Sequence, residues 1–298
     1  MNNTINVKQT RNIGDILTDT FTYIRVYYKS LATMIAVYVL APLMVGSIII
    51  SSSMGAIMTE AMAGLQDQSD PNLFGTGLEF FAGFFFLMIA YLLLMGVIYQ
   101  HIYYAGKGKV PDNISDFSEG MFSKLMRFIP FMILLYIILI GVMILGILSL
   151  VEISFLLLLL LIPLGAFILI RLLLFPIAYF VEDAGGFNSL VRSWELTSGY
   201  FWQTFGVYLL ISIVFGVLSQ LLSMPLFLVT AIAGAGLGSE SVILEVIVIF
   251  TYTISFVFQV LFFAAQSIAL GLQYFNLEER KEGHSLGEQV AGLEGDTV

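Results

Sequence analysis

Two hydrophobicity patterns take turns along the chain. Long, nearly unbroken apolar runs occur at about 31–58, 78–104, 128–150, 153–180, 203–233 and 242–275. Each is long enough to cross roughly 30 Å of hydrocarbon as a helix. Between them lie polar segments, three of which keep a helical period. In 13–29, Ile13, Ile16, Leu17, Phe21, Ile24 and Tyr28 share a face, and Asp15, Thr18, Asp19, Thr22, Arg25 and Lys29 look away from it. In 113–127, Ile114, Phe117, Met121 and Leu125 form the stripe behind an Asn113 cap. In 187–205, Phe187, Leu190, Val191, Trp194 and Phe201 share a face, opposite Ser189, Arg192, Ser193 and Glu195. Asn188 or Ser189 can cap this helix, and Gly199 can end it. Such helices belong in the membrane interface.

The predicted fold class is therefore all-α: a polytopic membrane protein of six transmembrane helices in three hairpins, each preceded by a cytoplasmic amphipathic surface helix. The surface helices are expected at 13–29, 113–127 and 187–202. The whole forms one membrane domain over 1–276, followed by an acidic tail over 277–298. Turn chemistry marks the connections: Asp70-Pro71-Asn72 and Gly75-Thr76-Gly77, the short Ser149–Ser154 segment, and the run AGAGLGSES. Tyr23, Tyr27 and Tyr28 are expected at headgroup depth, with Tyr99, Tyr103 and Tyr104 as a second aromatic belt.

Composition sharpens this picture. Hydrophobic residues make up 59% of 298 and charged ones 11%, with a mean hydropathy of +0.96. A soluble domain carries roughly 45–50% apolar and about 25% charged residues, so no soluble core is predicted. Of the 12 Lys and Arg, 11 fall outside the apolar runs on the side of the three surface helices, and the opposite loops have none. The positive-inside rule then puts both termini and all three surface helices in the cytoplasm, and the sequons at Asn2 and Asn113 lie inside. The net charge of −9 is unevenly spread, with Glu278, Glu279, Glu282, Glu288, Glu294 and Asp296 against Arg280 and Lys281 after Leu277, and no basic patch for nucleic acid is present. The polar, amphipathic start does not resemble a cleavable signal peptide. With no cysteine, disulfides, thiolate ligands and a cysteine nucleophile are excluded.

Chemistry-bearing residues are sparse. Glu245, Tyr252, Gln259, Gln266 and Gln273 recur at seven-residue intervals in the last apolar run, Arg280 continues the series, and Ser255 shares the face. Amides in hydrocarbon need partners, so this stripe is expected to face protein or water. It reads either as a packing seam against Ser212, Gly216, Ser219 and Ser223, with Gln220 beside them, or as a polar cavity. Arg171 lies in the fourth run, where it can snorkel toward Glu182 or Asp183 or line a cavity. Trp194, Trp202, Arg192 and Glu195 are the expected anchors of the third surface helix. His101 and His284 are too few for a histidine metal centre. The glycines at 234, 236 and 238 lack the strand that a phosphate loop requires, and no nucleophile elbow occurs. No catalytic residue, metal or cofactor is predicted.

Three blocks resemble a known family. The block VEDAGGFNSLVRSWELTSGYFWQTFGVYLL (181–210), the closing LQYFNLEERKEG (272–283) and the opening IGDILTDTFTYIRVYYKSL (13–31) are similar to the membrane domain that precedes some bacterial glycerophosphodiester phosphodiesterases, and to its stand-alone six-span relatives. The resemblance implies a bacterial cytoplasmic-membrane protein. It does not bring the phosphodiesterase activity, whose metal-binding carboxylates and paired histidines belong to a separate domain. Two functions then compete. One is a non-enzymatic membrane module that organises lipids or a protein partner. The alternative is a permease for a small polar or amphipathic molecule that uses the stripe.

Overall fold

The structure, a computed structural model, describes residues 5–64, 73–108, 110, 114–134, 155–234 and 242–283. It is all-helical, with no strand among the described residues. The helices are α1 (Ile13–Tyr38), α2 (Leu40–Gly64), α3 (Leu73–Gly106), α4 (Ile114–Ser118), α5 (described over 121–134), α6 (Phe155–Leu172), α7 (Phe175–Glu182), α8 (Gly186–Thr197), α9 (Phe201–Gly234) and α10 (Val242–Glu282). Four stretches are long and apolar enough to cross a membrane: Gly75–Gly106, Pro163–Glu182, Phe201–Pro225 and Ile249–Glu282. Bent by 58°, the pair Ile13–Tyr38 and Leu40–Met54 makes a fifth if it is taken as one span. Most of the run expected at 128–150 lies outside the described residues. So do the turns at Asp70-Pro71-Asn72, Ser149–Ser154 and 235–241, and the tail after Gly283.

The helix boundaries correct the sequence expectation in several places. No break separates a surface helix at 29 from a span at 31, because α1 runs on to Tyr38. The interruption comes at Val39. Pro42 has no N–H to give the Tyr38 carbonyl, and its ring crowds that position, so the helix bends one turn before the proline. Residues 113–127 do not form one helix either. Gly120, at φ +75°, ends the turn after α4 and lets α5 start in a new direction. Of the expected apolar face, Phe117, Met121 and Leu125 are buried within the protein, while Ile114 is exposed. The fourth run is two helices, parted at Leu173–Leu174. Pro176 sits in the first turn of α7, where its missing N–H costs nothing. The third surface helix is α8, which ends at Thr197. Trp202 therefore belongs to the first turn of α9.

The chain divides into two compact units. The first takes residues 1–27, 98–210 and 267–298, and the second takes 28–97 and 211–266. In the first, Ile98 and Ile102 of α3, Phe128 of α5, Phe175 and Phe180 of α7, Val207 of α9 and Leu272 of α10 form the core. Phe128 stacks on Phe175 at 5.4 Å. Gly271 is required where α10 meets α3, because a Cβ there would overlap Ile102 Cδ1. Every Lys and Arg in the chain except Lys29 falls within the ranges of this first unit.

The second unit is mostly apolar and rests on a backbone contact. A Cβ on Gly46 would lie 2.8 Å from Leu87 N and 2.9 Å from the Gly83 carbonyl oxygen. One on Gly83 would lie 2.9 Å from Ile50 N. Glycines on both helices let α2 and α3 approach until their main chains touch, the usual way that helices associate where lipid supplies no hydrophobic drive. Ser47, Ser51 and Ser53 are buried beside this crossing and bond back to Met44, Ser47 and Ile49 carbonyls. Elsewhere in the unit, Phe215 of α9 meets Phe262 of α10 at 5.9 Å, and Tyr91 of α3 meets Phe263 at 5.2 Å.

Candidate functional site

The break between α6 and α7 creates the most distinctive surface of the first unit. A helix end leaves its last carbonyls without internal partners. Here α8 supplies them: Ser193 Oγ donates to the Arg171 carbonyl at 2.8 Å, and Thr197 Oγ1 reaches it at 3.4 Å. Two residues out of the ordinary backbone range turn the chain to make this possible. Asp183 is left-handed at φ +51°, and Gly185 lies at φ +80°. Gly186 then passes so close to Phe131 that a Cβ would sit 2.6 Å from its ring. From there α8 folds back along α7 to the end of α6.

The face that α8 buries carries its small hydroxyl side chains and Leu196, which leaves outward the apolar face expected toward a membrane interface. Ser189, Ser193, Leu196 and Thr197 are buried. Ser189 Oγ donates to the Gly185 carbonyl at 2.7 Å, and Thr197 Oγ1 to Ser193 at 2.8 Å. Phe187 is 73% exposed, and Val191 and Trp194 are exposed beside it. Trp202, at the start of α9, is 77% exposed. An outward aromatic face this large needs an apolar surrounding.

Arg171 lies under that face. Its guanidinium is 5.1 Å from the ring centres of both Phe167 and Trp194, a cation–π arrangement. Nη1 donates to the Trp194 carbonyl at 3.3 Å, and Nε is buried without a partner. Phe167 continues to Phe201 at 5.0 Å, which meets Trp202 at 5.3 Å. Arg171 bonds neither Glu182 nor Asp183, the acids proposed for it from sequence. Glu182 Oε1 instead accepts from Arg192 Nε at 2.6 Å and from Tyr274 OH at 2.6 Å. Arg192 also pairs with Glu282. Burial alone would lower its pKa, but Glu282 and Glu182 outweigh that and raise it. Asp183 pairs with Arg127 at 3.3 Å. Glu195 contributes its backbone, whose carbonyl accepts from Lys281.

Two buried polar clusters were not visible in the sequence. In one, Arg11 is 2% exposed. Nε bonds Asp19 Oδ2 at 2.7 Å, and the other guanidinium nitrogens reach the carbonyls of Asn6 (2.5 Å), Val7 (2.7 Å) and Gln9 (3.1 Å). Burial lowers the Arg11 pKa, and Asp19 opposes that. The Arg11 backbone is held from three sides: N–H to Asn276 Oδ1 at 2.6 Å, and carbonyl to Gln203 at 3.2 Å and Arg280 at 2.7 Å. In the other cluster, Tyr23 OH lies 2.6 Å from His101 Nδ1, with Tyr27 and Phe117 against the imidazole. Tyr23 is fully buried, and so is Tyr99 at 2% exposure. His101 Nε2 and Gln100 Oε1 are buried without partners. The signal for the second cluster was no more than His101 among apolar residues, and Arg11 stood unmarked in a polar segment.

The seven-residue stripe does not form one face. Gln273 is buried and donates to Thr204 Oγ1 at 3.2 Å, while its Oε1 accepts from Asn276 at 2.9 Å. Its α9 partner is thus Thr204, not the Ser212–Ser223 face. Ser255 is buried and bonds back to the Thr251 carbonyl at 2.9 Å. Gln259 is exposed, Tyr252 and Gln266 are intermediate, and the Glu245 side chain lies outside those described. Gly216 is exposed, with nothing within 4 Å of a Cβ placed there. A straight helix drifts about 20° per heptad, so a seven-residue series that starts inward does not stay inward over this length. Among the described residues, no group of three or more His, Asp or Glu is placed to hold a metal ion. Compared with protein-family models, curated proteins and solved structures, the chain matches none.

Proposed function

We propose that this chain is a non-enzymatic integral protein of a bacterial cytoplasmic membrane that organises lipids, or a membrane-embedded partner, around the outward face of α8. The observation that carries this reading is the inversion of that helix. Ser193 and Thr197 are turned inward to satisfy the α6 end, and Phe187, Val191 and Trp194 are turned out. In water such a helix would turn over; beside hydrocarbon it is in its stable orientation. The basic unit, with 11 of the 12 Lys and Arg in its ranges, would lie on the cytoplasmic side by the positive-inside rule. Six spans in three hairpins remain the proposed topology, and the glycerophosphodiester phosphodiesterase membrane domain its proposed family.

Three arginines of the first unit are already engaged in ion pairs, which supports a binding role over a catalytic one. Arg11 is tied to Asp19, Arg127 to Asp183, and Arg192 to Glu182 and Glu282. The permease reading keeps one observation in its favour, the partnerless buried atoms of Gln100 and His101. Two measurements decide. With Trp202→Phe, Trp194 becomes the single tryptophan, because the chain has 2. In nanodiscs its emission should be quenched by lipids brominated on the acyl chain and protected from aqueous iodide; the reverse pattern refutes a lipid-facing α8. In proteoliposomes, Gln259→Leu and Gln266→Leu should leave solute flux unchanged. Flux that both substitutions abolish, with expression intact, would establish the permease instead.

A further inference from the structure

We infer that Arg171 is the cationic half of a binding site for an anionic phospholipid, taking the headgroup phosphate while the acyl chains lie on the aromatic face of α8. The inference deepens the proposed function and rests on it. The guanidinium has five N–H donors and no acceptor function. In the structure one nitrogen bonds a carbonyl at 3.3 Å, and Nε is buried with nothing to bond. Among the described residues no carboxylate lies within ion-pair range of Arg171, whereas Arg11 and Arg127 each have one and Arg192 has two. A buried, unpaired donor on a charged group is costly. Arg171 therefore has both charge and hydrogen-bonding capacity left over at the edge of an apolar surface.

The surroundings select the ligand. Phe167 and Trp194, whose ring centres are 6.0 Å apart, lie together on one side of the guanidinium, each 5.1 Å from it. A planar fork matches two phosphate oxygens. The exposed neighbours are Trp194, Trp202, Phe187 and Val191, to which a free inorganic anion brings nothing and acyl chains bring apolar contact. A ligand with a phosphate at one end and hydrocarbon at the other meets both demands. Such a lipid also explains why the break at Leu173–Leu174 is useful. An uninterrupted span would leave Arg171 well inside the apolar run, while the folded-back α8 surrounds it with the aromatic groups that favour an interface.

The test uses the full-length Trp202→Phe protein and its Arg171→Gln and Arg171→Lys derivatives in nanodiscs of phosphatidylcholine with or without phosphatidylglycerol. Native mass spectrometry after release counts retained lipids, and brominated phosphatidylglycerol reports contact with Trp194. The expected result is about fivefold enrichment of phosphatidylglycerol over its share of the disc, the effect of one basic side chain near anionic lipid. Arg171→Gln should abolish the enrichment with its melting temperature retained, and Arg171→Lys should keep part of it. Equal enrichment in wild type and Arg171→Gln overturns the site. So does inorganic phosphate alone if it displaces the bound lipid. Should Trp194 be quenched equally by brominated phosphatidylcholine and brominated phosphatidylglycerol, the anionic preference is wrong and the lipid-facing helix stands. If neither lipid quenches it, the underlying reading fails as well.

Discussion

Arg11→Met asks whether the buried arginine holds the N-terminal segment to the first unit. Methionine replaces the aliphatic stem with a flexible chain of similar reach, so the change removes the guanidinium more than the packing. Four side-chain bonds go with it: one to Asp19 Oδ2 and three to the carbonyls of Asn6, Val7 and Gln9. Breaking a fully buried ion pair from one side costs about 3–5 kcal/mol. The Asp19 side chain, however, is 25% exposed against 1% for Arg11. Water can take over part of its solvation, and the expected loss falls to about 2–3 kcal/mol. The backbone bonds of Arg11 to Asn276, Gln203 and Arg280 survive the substitution, so the segment should loosen and not detach. Equilibrium unfolding in mixed micelles, followed by tryptophan fluorescence, measures the loss, and limited proteolysis within 5–12 reports the loosening. Asp19→Asn completes a double-mutant cycle with an expected coupling of about 1 kcal/mol. A stability change under about 0.5 kcal/mol with unaltered proteolysis would show that the pair is solvated and the reasoning wrong.

Two further substitutions probe the remaining contacts. Tyr23→Phe removes the partner of His101 Nδ1 and leaves both imidazole nitrogens unpaired in a buried setting. Stability should drop by about 1–3 kcal/mol, read from the same unfolding curves, and an unchanged midpoint would mean that water already bonds the ring. Gly83→Val places a branched side chain where the α2 main chain passes, with Ile50 N 2.9 Å from the first carbon. Overpacking of this kind costs about 1–3 kcal/mol or more. A thermal shift measured in nanodiscs checks it, and a neutral result would mean that the helices separate without penalty.

How legible the fold was depends on the kind of signal. The long apolar runs named α3, α9 and most of α10, because a helix is the way a single segment satisfies its own backbone in hydrocarbon. Phe117, Met121 and Leu125 were legible as one apolar face from their spacing, but that they pack inward was decided by the fold. The heptad series in α10 misled. Seven-residue spacing implies a common face only where a partner helix is followed along its length, and Gln259 and Gln273 end in different surroundings. Arg171 was marked as unusual from sequence, but its nearest acids are already engaged by Arg192, Tyr274 and Arg127. Which acid a cation meets depends on where the chain turns back, and a glycine pair at 185–186 settles that here.

By itself the sequence determined that the protein is all-helical, apolar enough for a membrane, and marked by basic residues that the structure gathers into one unit's ranges. Those properties are sums over short stretches, and no long-range contact alters them. The tertiary structure decided which side of each amphipathic helix is the inside. In water the apolar face is always the buried one, because water rewards no other choice. Near hydrocarbon that reward vanishes, and the inward face becomes whichever one meets hydrogen-bonding partners. The carbonyl that Arg171 offers at the end of α6 draws Ser193 and Thr197 inward and turns Trp194 out. The same logic buries Tyr23 beside His101 and Arg11 beside Asp19, pairs whose members lie far enough apart in the chain, or in segments polar enough, that only folding brings them into register.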